Sequence, residues 1–463
     1  MDRYIVVSAL GAPVRIETSA LDGDAMTAVS DAWADATVPG DGEGGPTVTA
    51  NATTSTPEML SDLSQRVTLA AIDNARARRW MLHAAGLARE DGRVAALIGP
   101  SGRGKTTASR TLGRRFGYVS DETVAVDDDG TVHPYRKPLS IIENGVQHPK
   151  VQRAPRSLGL GDLPDVPLRL GAIVLLERRP DGPDEPEVEE VDLGDALAEL
   201  VAQTSFLASL PRPLQTVAGH AAAVGGIRRV TYREAETLDR TIRRILDSAQ
   251  PAPAPAAVAA DLPLPAASAD RAPGARYTRT DAVDAVQLDD PDRLIVLHTD
   301  EAGQGVVRVL SGLAPAIWRA AADATLEELV CAAVERYGEP EGMDAAAAVS
   351  TAVDDLLAEG VLRRADAVRW AVADDVAWVD EPDRAVVLRL SAEAAEPVTL
   401  EGSAAVIWDA VVAGGPSGDD VAAITSRTAE AAGMEAPDDI AADVSDFLAH
   451  LLDGGLIEAR PQP

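Results

Sequence analysis

The residues with the clearest chemistry form one short segment, residues 99–106, with the sequence Gly-Pro-Ser-Gly-Arg-Gly-Lys-Thr. It fits the pattern G-x-x-x-x-G-K-[ST] of a phosphate-binding loop. Glycines let the backbone curl so that N–H groups point at phosphate oxygens, and the following helix adds partial positive charge. In such a loop Lys105 reaches the β- and γ-phosphates, and the Thr106 hydroxyl ligates Mg²⁺. The predicted nucleotide ligands are Gly99, Pro100, Ser101, Gly102, Arg103, Gly104, Lys105, Thr106 and Thr107.

The flanking sequence predicts the elements that such a loop needs. The apolar run 94–98 predicts a buried strand, and residues 107–116 predict a helix. Lysine is rare, because the chain has only Lys105, Lys137 and Lys150, and every other basic residue is arginine. A chain that uses arginine almost everywhere still has lysine where a compact point charge is needed, which favours nucleotide binding over a chance match.

Length and charge limit the classes of protein that fit. A chain of 463 residues predicts two to four domains. Its net charge of −32 argues against nucleic acid and anionic membranes as partners. The acidity is uneven, because the chain from Tyr277 onward carries 12 arginines and no lysine against 37 acidic residues.

The remaining composition favours a cytoplasmic protein. The single cysteine, Cys331, excludes a disulfide scaffold and a cysteine metal site, and its predicted helix favours a role in core packing. The first residues lack the basic segment and long apolar run of a secretory signal. Since no window approaches 18 apolar residues, no membrane span is expected.

Proline and alanine divide the chain into two parts. Residues 249–275 are a Pro/Ala-rich linker of the kind that behaves as a semi-rigid spacer, and 39–57 predict a long surface loop. Before the linker, apolar residues recur with the spacing of strands in some segments and with the spacing of helices in others. This mixture indicates an α/β nucleotide-binding domain with added hairpins. The predicted strands are 5–9, 14–18, 81–88, 94–98, 118–126 and 171–176, and the further predicted helices are 63–77 and 235–246.

After the linker the chain repeats itself. The segment 290–297 recurs at 381–388, and 310–318 recurs at 400–408 with Trp318 matched by Trp408. The offset of about 90 residues indicates two tandem domains rather than a short-period solenoid. Each copy predicts strands followed by three helices, a small winged-helix-like pattern, and both tryptophans are expected in the core.

The region from Trp80 to Ile142 resembles the kinase core of the HPr kinase/phosphorylase superfamily. The resemblance rests on His83 before a strand, the glycine-rich loop about sixteen residues on, and the acidic pair Asp121-Glu122 beyond it. The superfamily has Asp-Asp at that pair, so this chain differs in its second residue. The resemblance implies an α/β P-loop kinase domain that uses ATP and Mg²⁺.

The resemblance also implies roles for these residues. Asp121 would be the base that accepts a proton from a Ser or Thr hydroxyl, with Thr106, Asp121 and Glu122 around Mg²⁺. His83 would lie near the transferred phosphate, although a histidine at a strand start is also often structural. Arg136 and Lys137 stand where another phosphate-facing cation could come from, but a surface role is favoured for both. Related kinases often form rings, which leaves a homo-oligomer open.

The repeated halves resemble PqqD domains, the peptide-recognition modules of ribosomal-peptide modification pathways. The resemblance rests on Leu-x-Gly-x-Ala-x-x-Ile-Trp at 310–318, its copy at 400–408, and the terminal Gly-Val-Leu and Gly-Leu-Ile. It implies two small α+β winged-helix-like domains that hold an extended leader peptide at a sheet edge. The predicted domains are therefore 1–248 (kinase-like), 276–365 and 366–460 (both PqqD-like), joined by the linker 249–275.

These features together favour an ATP-dependent kinase of a peptide or small-protein hydroxyl, with the tandem domains recruiting the substrate in ribosomal peptide modification. Two alternatives stay open. The nucleotide site could be a switch in a non-catalytic, ATP-gated peptide-binding protein. The acceptor could instead be a small metabolite, with the tandem domains regulatory.

Overall fold

A computed structural model describes the chain in segments. The described residues are 4–51, 55–99, 104–141, 150–254, 256–258, 275–289, 292–300, 303–340, 342–364, 369–381, 384–391, 396–416, 418–434 and 440–460. They form two compact units. Unit 1 combines Met1–Asp261 with Asp281–Ser311, and unit 2 combines Leu262–Thr280 with Gly312–Pro463.

The elements of the described residues alternate between strands and helices, as a mixed α/β chain requires. The strands are β1 (Tyr4–Ala9), β2 (Ala12–Glu17), β3 (Thr47–Thr49), β4 (Trp80–Leu82), β5 (Ala84–Ala88), β6 (Arg93–Ile98), β7 (Gly117–Ser120), β8 (Val124–Val126), β9 (Val132–His133), β10 (Leu139–Ile141), β11 (Val151–Arg153), β12 (Arg169–Arg178), β13 (Glu187–Val191), β14 (Thr204–Ser205), β15 (Ile227–Tyr232), β16 (Ala256–Val258), β17 (Arg276–Arg279), β18 (Asp284–Asp289), β19 (Asp292–Thr299), β20 (Gly305–Leu310), β21 (Ala322–Thr325), β22 (Leu362–Arg364), β23 (Arg369–Val372), β24 (Val376–Glu381), β25 (Arg384–Arg389), β26 (Val398–Glu401) and β27 (Ile457–Arg460). The helices are α1 (Gly23–Ala32), α2 (Thr56–Ala75), α3 (Lys105–Leu112), α4 (Leu193–Ala202), α5 (Pro213–Ala223), α6 (Leu238–Ser248), α7 (Ala314–Ala320), α8 (Leu326–Tyr337), α9 (Ala345–Ala358), α10 (Ser403–Val412), α11 (Val421–Ala431) and α12 (Ala441–Asp453).

The largest sheet of unit 1 has six strands in the order β13-β15-β12-β6-β5-β7. Strands β6, β12 and β15 pair in parallel, and the flanking strands run antiparallel to their neighbours. Alternate residues of β6 enter different cores: Ala96 and Ile98 pack in the cluster that holds α4 and α5, whereas Ala95 and Leu97 pack in the cluster that holds α3 and α6. Burial on both faces explains the continuous apolar run in the sequence.

Two of the predicted strands are each divided between two sheets. The prediction of one strand at 81–88 is wrong, since β4 pairs with β8 in a four-stranded sheet while β5 belongs to the six-stranded sheet. The prediction of one strand at 118–126 is wrong in the same way, with β7 in the large sheet and β8 in the small one. The chain changes sheets at His83 and again at residues 121–123. Both changes put polar residues at one edge of the large sheet.

The first repeat contributes three strands to unit 1. Val286, Ile295 and Leu297, from β18 and β19, belong to the same hydrophobic core as α4 and α5. The Asp284 carboxylate accepts hydrogen bonds from the backbone N–H groups of Leu214 (2.8 Å) and Gln215 (3.1 Å) at the start of α5. The compact units therefore do not follow the predicted boundary at residue 276, because the hairpins of 284–310 are part of unit 1.

Unit 2 contains the helices of the first repeat and all of the second repeat. The second repeat has the strand order β24-β25-β26 and β23-β27, with α10, α11 and α12. Trp318 and Trp408 are each 0 % exposed, which confirms the prediction that both are core residues. Cys331 is exposed, so its predicted role in core packing is wrong; it lies on the outer face of α8, whose inner face buries Leu329 and Ala333.

Within the described segments, no helix combines the length and the apolar character needed to cross a bilayer.

Candidate functional site

The two ends of the glycine-rich segment lie where the motif requires them. Strand β6 ends at Ile98 and α3 begins at Lys105, with Gly99 before the loop and Gly104 after it. Gly104 has a φ of +92°, and a Cβ there would lie 2.9 Å from the Tyr232 hydroxyl. Only glycine fits this position without strain. The predicted ligands Pro100, Ser101, Gly102 and Arg103 fall outside the described residues.

Lys105 folds back over the start of the loop. Its Nζ donates a hydrogen bond to the Gly99 carbonyl, and the residue is 7 % exposed. Burial lowers the pKa of Lys105, and the negative charge of Glu122 opposes that shift. Thr106 and Thr107, the next residues of α3, are exposed. The first turn of α3 therefore contains one buried ammonium group and two exposed threonines.

Strand register brings three separate segments to the same edge of the sheet. Strand β5 lies between β6 and β7 and is antiparallel to both, with Ala84 opposite Ile98 and Gly86 opposite Ser120. Because β6 and β7 run in the same direction, their carboxyl ends meet at the edge where β5 begins. His83, the glycine-rich loop and the acidic pair are therefore brought together.

The acidic pair stands in a turn and not in a strand. Strand β7 ends at Ser120, whose Oγ accepts hydrogen bonds from the backbone N–H groups of Glu122 (3.2 Å) and Thr123 (3.1 Å). Adjacent carboxylates in a strand would point to opposite faces, and this turn removes that restriction. Among the described residues, Asp121 Oδ1 is buried and has no hydrogen-bond partner.

Lys137 completes the charged cluster. Its Nζ lies 2.9 Å from Glu122 Oε2, and the residue is 6 % exposed. Burial opposes the charge, but Asp121 and Glu122 outweigh it and raise the pKa of Lys137. The predicted surface role of Lys137 is therefore wrong. The rarity of lysine could have identified it, because two of the three lysines of the chain, Lys105 and Lys137, lie in this cluster.

Arg136 is also buried, at 7 % exposure, so its predicted surface role is wrong as well. Its guanidinium donates hydrogen bonds to the carbonyls of Tyr118 (2.7 Å) and Gly161 (2.9 Å). These bonds tie β7 to the loop before β12. Arg136 is thus a structural residue, and its neighbour Lys137 faces the acidic pair.

His83 contributes a neutral ring. Its backbone N–H donates to the Gln203 carbonyl at 2.7 Å, which fixes the chain where it leaves β4. Burial and the nearby Lys105 charge lower the pKa of His83, against the opposing effects of Glu122 and Asp121. A lowered pKa favours the uncharged imidazole at neutral pH.

Two residues at the same edge were not predicted. Arg178 and Tyr232 are paired at the ends of the parallel strands β12 and β15. The Tyr232 hydroxyl is buried without a hydrogen-bond partner in the described part of the chain, and burial raises its pKa. It is a protonated donor beside Gly104. Their position at the carboxyl ends of parallel strands could have identified them, since ligands of parallel sheets bind beyond those ends.

The arrangement fits a magnesium nucleotide. The buried Lys105, the unpartnered Tyr232 hydroxyl and the Asp121 oxygen all lie at the end of the loop, where phosphate oxygens and a metal would satisfy them. The described residues contain no group of three His, Cys, Asp or Glu side chains that could hold a metal by itself.

Comparison with known proteins assigns part of unit 2. Residues 386–457 match the family described as Coenzyme PQQ synthesis protein D (PqqD). No curated protein matches the chain. The Hpr(Ser) kinase/phosphatase from Coxiella burnetii is a structural match at 12 % identity, covering 36 % of this chain and 93 % of that one. Its TM-score of 0.21 is too low to support an argument.

Proposed function

We propose that this protein is an ATP-dependent kinase that phosphorylates a Ser or Thr hydroxyl of a peptide or small protein. We further propose that its PqqD-like repeats recruit that substrate in ribosomal peptide modification. The observation that carries the kinase proposal is the convergence of Lys105, His83 and the pair Asp121-Glu122 at one sheet edge. The PqqD match at 386–457 supports the recruitment proposal.

Phosphoryl transfer needs positioning and charge neutralisation more than covalent help. In this proposal, Lys105 and the loop amides hold the β- and γ-phosphates. Asp121 accepts the proton of the substrate hydroxyl as its oxygen bonds to the γ-phosphorus, and ADP leaves with the electrons of the broken bond. Glu122 is already paired with Lys137, so Asp121, which lies beside the buried Tyr118 hydroxyl, is the carboxylate outside that ion pair. Bound Mg²⁺, held by Thr106 and the acidic pair, would supply charge neutralisation.

We propose that recruitment falls to the second repeat. Val379 on β24 pairs with Val386 and is 63 % exposed. At the repeat offset of 91 residues Val386 corresponds to Ile295, which pairs with Val286, and both Ile295 and Val286 are 0 % exposed in the core of unit 1. The matching surface of the first repeat is therefore already used inside unit 1.

The two repeats also differ at the sheet edge. In the first repeat, linker strand β16 pairs with the edge of β18. In the second, β24 is an edge strand whose pairing partner in the described residues is β25 alone. It carries the exposed apolar residues Trp378 and Val379 and the acidic residues Asp380 and Glu381. An added strand with basic and apolar side chains would complement this surface.

The kinase proposal is tested by incubating the full chain with γ-labelled ATP, Mg²⁺ and the peptides encoded beside its gene. We expect one phosphate to be gained on a peptide Ser or Thr, and to be lost in Lys105→Met. Tight ATP binding with no phosphate on any peptide would contradict the proposal. It would favour an ATP-gated peptide-binding protein, or a kinase of a small metabolite.

Recruitment is tested separately with Val379→Glu, which adds a charge to β24. We expect a raised KM for peptide with little change in kcat, because the substituted residue belongs to unit 2 and the proposed phosphoryl-transfer residues belong to unit 1. The matched control is Leu390→Glu, since Leu390 is 62 % exposed in the same repeat. An equal KM for Val379→Glu and the control would contradict recruitment at β24.

A further inference from the structure

An open groove runs beside the loop helix of unit 1, on the face of α3 that is turned away from the sheet. It has a volume of about 430 Å³ and is lined by residues of α3, by Arg114 and Arg115 in the turn after it, by Glu236 just before α6 and by Asp239 in the first turn of α6. The groove begins at Thr107, directly after Lys105 and Thr106 in the sequence. Its volume lies in the range of small-molecule sites.

Two arginines stand on one side of the groove. Thr107 and Arg110 are three positions apart on α3, and Arg114 follows in the turn after Gly113. The opposite side of α3 buries Ala108 against the sheet. The groove therefore leads away from the end of the loop where the phosphates would lie.

Neither Arg110 nor Arg114 has an ion-pair or hydrogen-bond partner among the described residues. Their neighbour Arg115 does, since its guanidinium lies 3.6 Å from Asp239 Oδ2. Two unpaired guanidiniums in one groove are unexpected in a chain with a net charge of −32. Asp239 Oδ1 is buried and accepts no hydrogen bond, with Arg243 Nε 3.4 Å away.

We propose that this groove holds the nucleoside half of the nucleotide, an inference that rests on the proposed ATP site. Planar guanidiniums stack on nucleobases, and Arg110 and Arg114 are free to do so. Glu236 and Asp239 disfavour an acidic peptide as the occupant, because like charges would be brought together.

The experiment separates the nucleoside from the phosphates. Calorimetry measures binding of Mg·ATP and of Mg·tripolyphosphate to the full chain and to Arg110→Lys/Arg114→Lys, which keeps both charges but removes both stacking planes. We expect roughly tenfold weaker ATP binding, the size of one lost stacking contact, and tripolyphosphate affinity unchanged within about twofold. The matched control is Arg240→Lys/Arg244→Lys, which changes two arginines of α6 with the same spacing outside the groove.

Any other pattern of binding overturns the inference. An equal loss of affinity for ATP and tripolyphosphate would show that the guanidiniums bind phosphates. Unchanged affinity for both ligands would show that the groove has no role in binding. An equal loss in the control pair would show a general effect. If the wild-type protein binds ATP no more tightly than tripolyphosphate, the nucleoside adds no affinity. That result would contradict the nucleoside groove but not the phosphate site at the loop. ATP binding that depends on the groove, without phosphate transfer, would instead refute only the kinase proposal.

Discussion

The ion pair between Glu122 and Lys137 allows a quantitative test of the charged cluster. Replacing Glu122 by glutamine keeps the shape of the side chain and removes its charge, so the buried ammonium 2.9 Å away loses its direct partner. Replacing Lys137 by methionine instead removes the buried charge itself. The structure predicts that Glu122→Gln destabilises unit 1 more than Lys137→Met does. It also predicts that adding Lys137→Met to Glu122→Gln restores part of the lost stability.

The magnitude follows from burial. Removing one partner of a buried ion pair costs about 3–5 kcal/mol, because a desolvated charge is left behind. Here the Glu122 side chain is 38 % exposed and Asp121 remains nearby, which reduces the expected cost of Glu122→Gln to about 2 kcal/mol. Lys137→Met leaves a carboxylate that water can reach, so we expect a cost of about 1 kcal/mol. The double variant should also lose about 1 kcal/mol, a coupling of about 2 kcal/mol.

The assay is pulse proteolysis across a urea series, with peptides of unit 1 quantified by mass spectrometry. Following peptides of one unit avoids treating the whole chain as a single two-state system. The matched control is Asp62→Asn, which breaks an exposed pair with Arg66 at 3.3 Å and should change stability by less than about 0.5 kcal/mol. Additive single variants, or a larger loss for Lys137→Met than for Glu122→Gln, would refute this reasoning.

Three further predictions concern single positions. Gly104→Ala should abolish measurable ATP binding in calorimetry, because its φ is +92° and the new Cβ would lie 2.9 Å from the Tyr232 hydroxyl; unchanged affinity would contradict the tight loop end. His220 is 6 % exposed and stacks on Trp80, and burial lowers its pKa, so the stability of unit 1 is full above its ordinary pKa of 6.5 and falls below it. Urea unfolding should show a loss of up to about 1 kcal/mol over the first pH unit below 6.5, absent in His220→Phe. Cys331 is exposed, so the native chain should react with one equivalent of a thiol reagent without denaturant; a thiol that reacts only after unfolding would contradict this placement.

Much of the loop's framework could be predicted because its signals are local. An apolar run buried on both faces, a glycine-rich segment and a helix follow one another within residues 93–112, and each depends on its own sequence. The change of sheets at His83 could not be predicted. Residues 80–88 read as one strand, because alternation along a strand does not reveal which sheet it joins.

The burial of two charged side chains, Lys137 and Arg136, could not be predicted from residue type. Lysine and arginine are usually exposed, so Lys137 and Arg136 were expected on the surface. The partners that bury them, Glu122 and the carbonyls of Tyr118 and Gly161, come from other segments of the chain. Tertiary pairing of this kind leaves no periodic signal in the sequence.

The repeat illustrates a second limit. Ile295 and Val386 are corresponding residues of the two copies, yet Val286, the strand partner of Ile295, is buried in unit 1, whereas Val379, the strand partner of Val386, is exposed. A repeat predicts equivalent folds for its copies, but it does not predict which copy packs against another element. The difference between the repeats came only from the structure.

The most direct test of the central claim is a comparison of ATP binding and phosphoryl transfer in Asp121→Asn. The substitution keeps the shape of the side chain but removes the proposed base. We predict that Mg·ATP still binds within a few-fold of wild type, while transfer of phosphate to the peptide hydroxyl falls by about a hundredfold or more. Undiminished transfer in a variant that binds ATP normally would contradict the account.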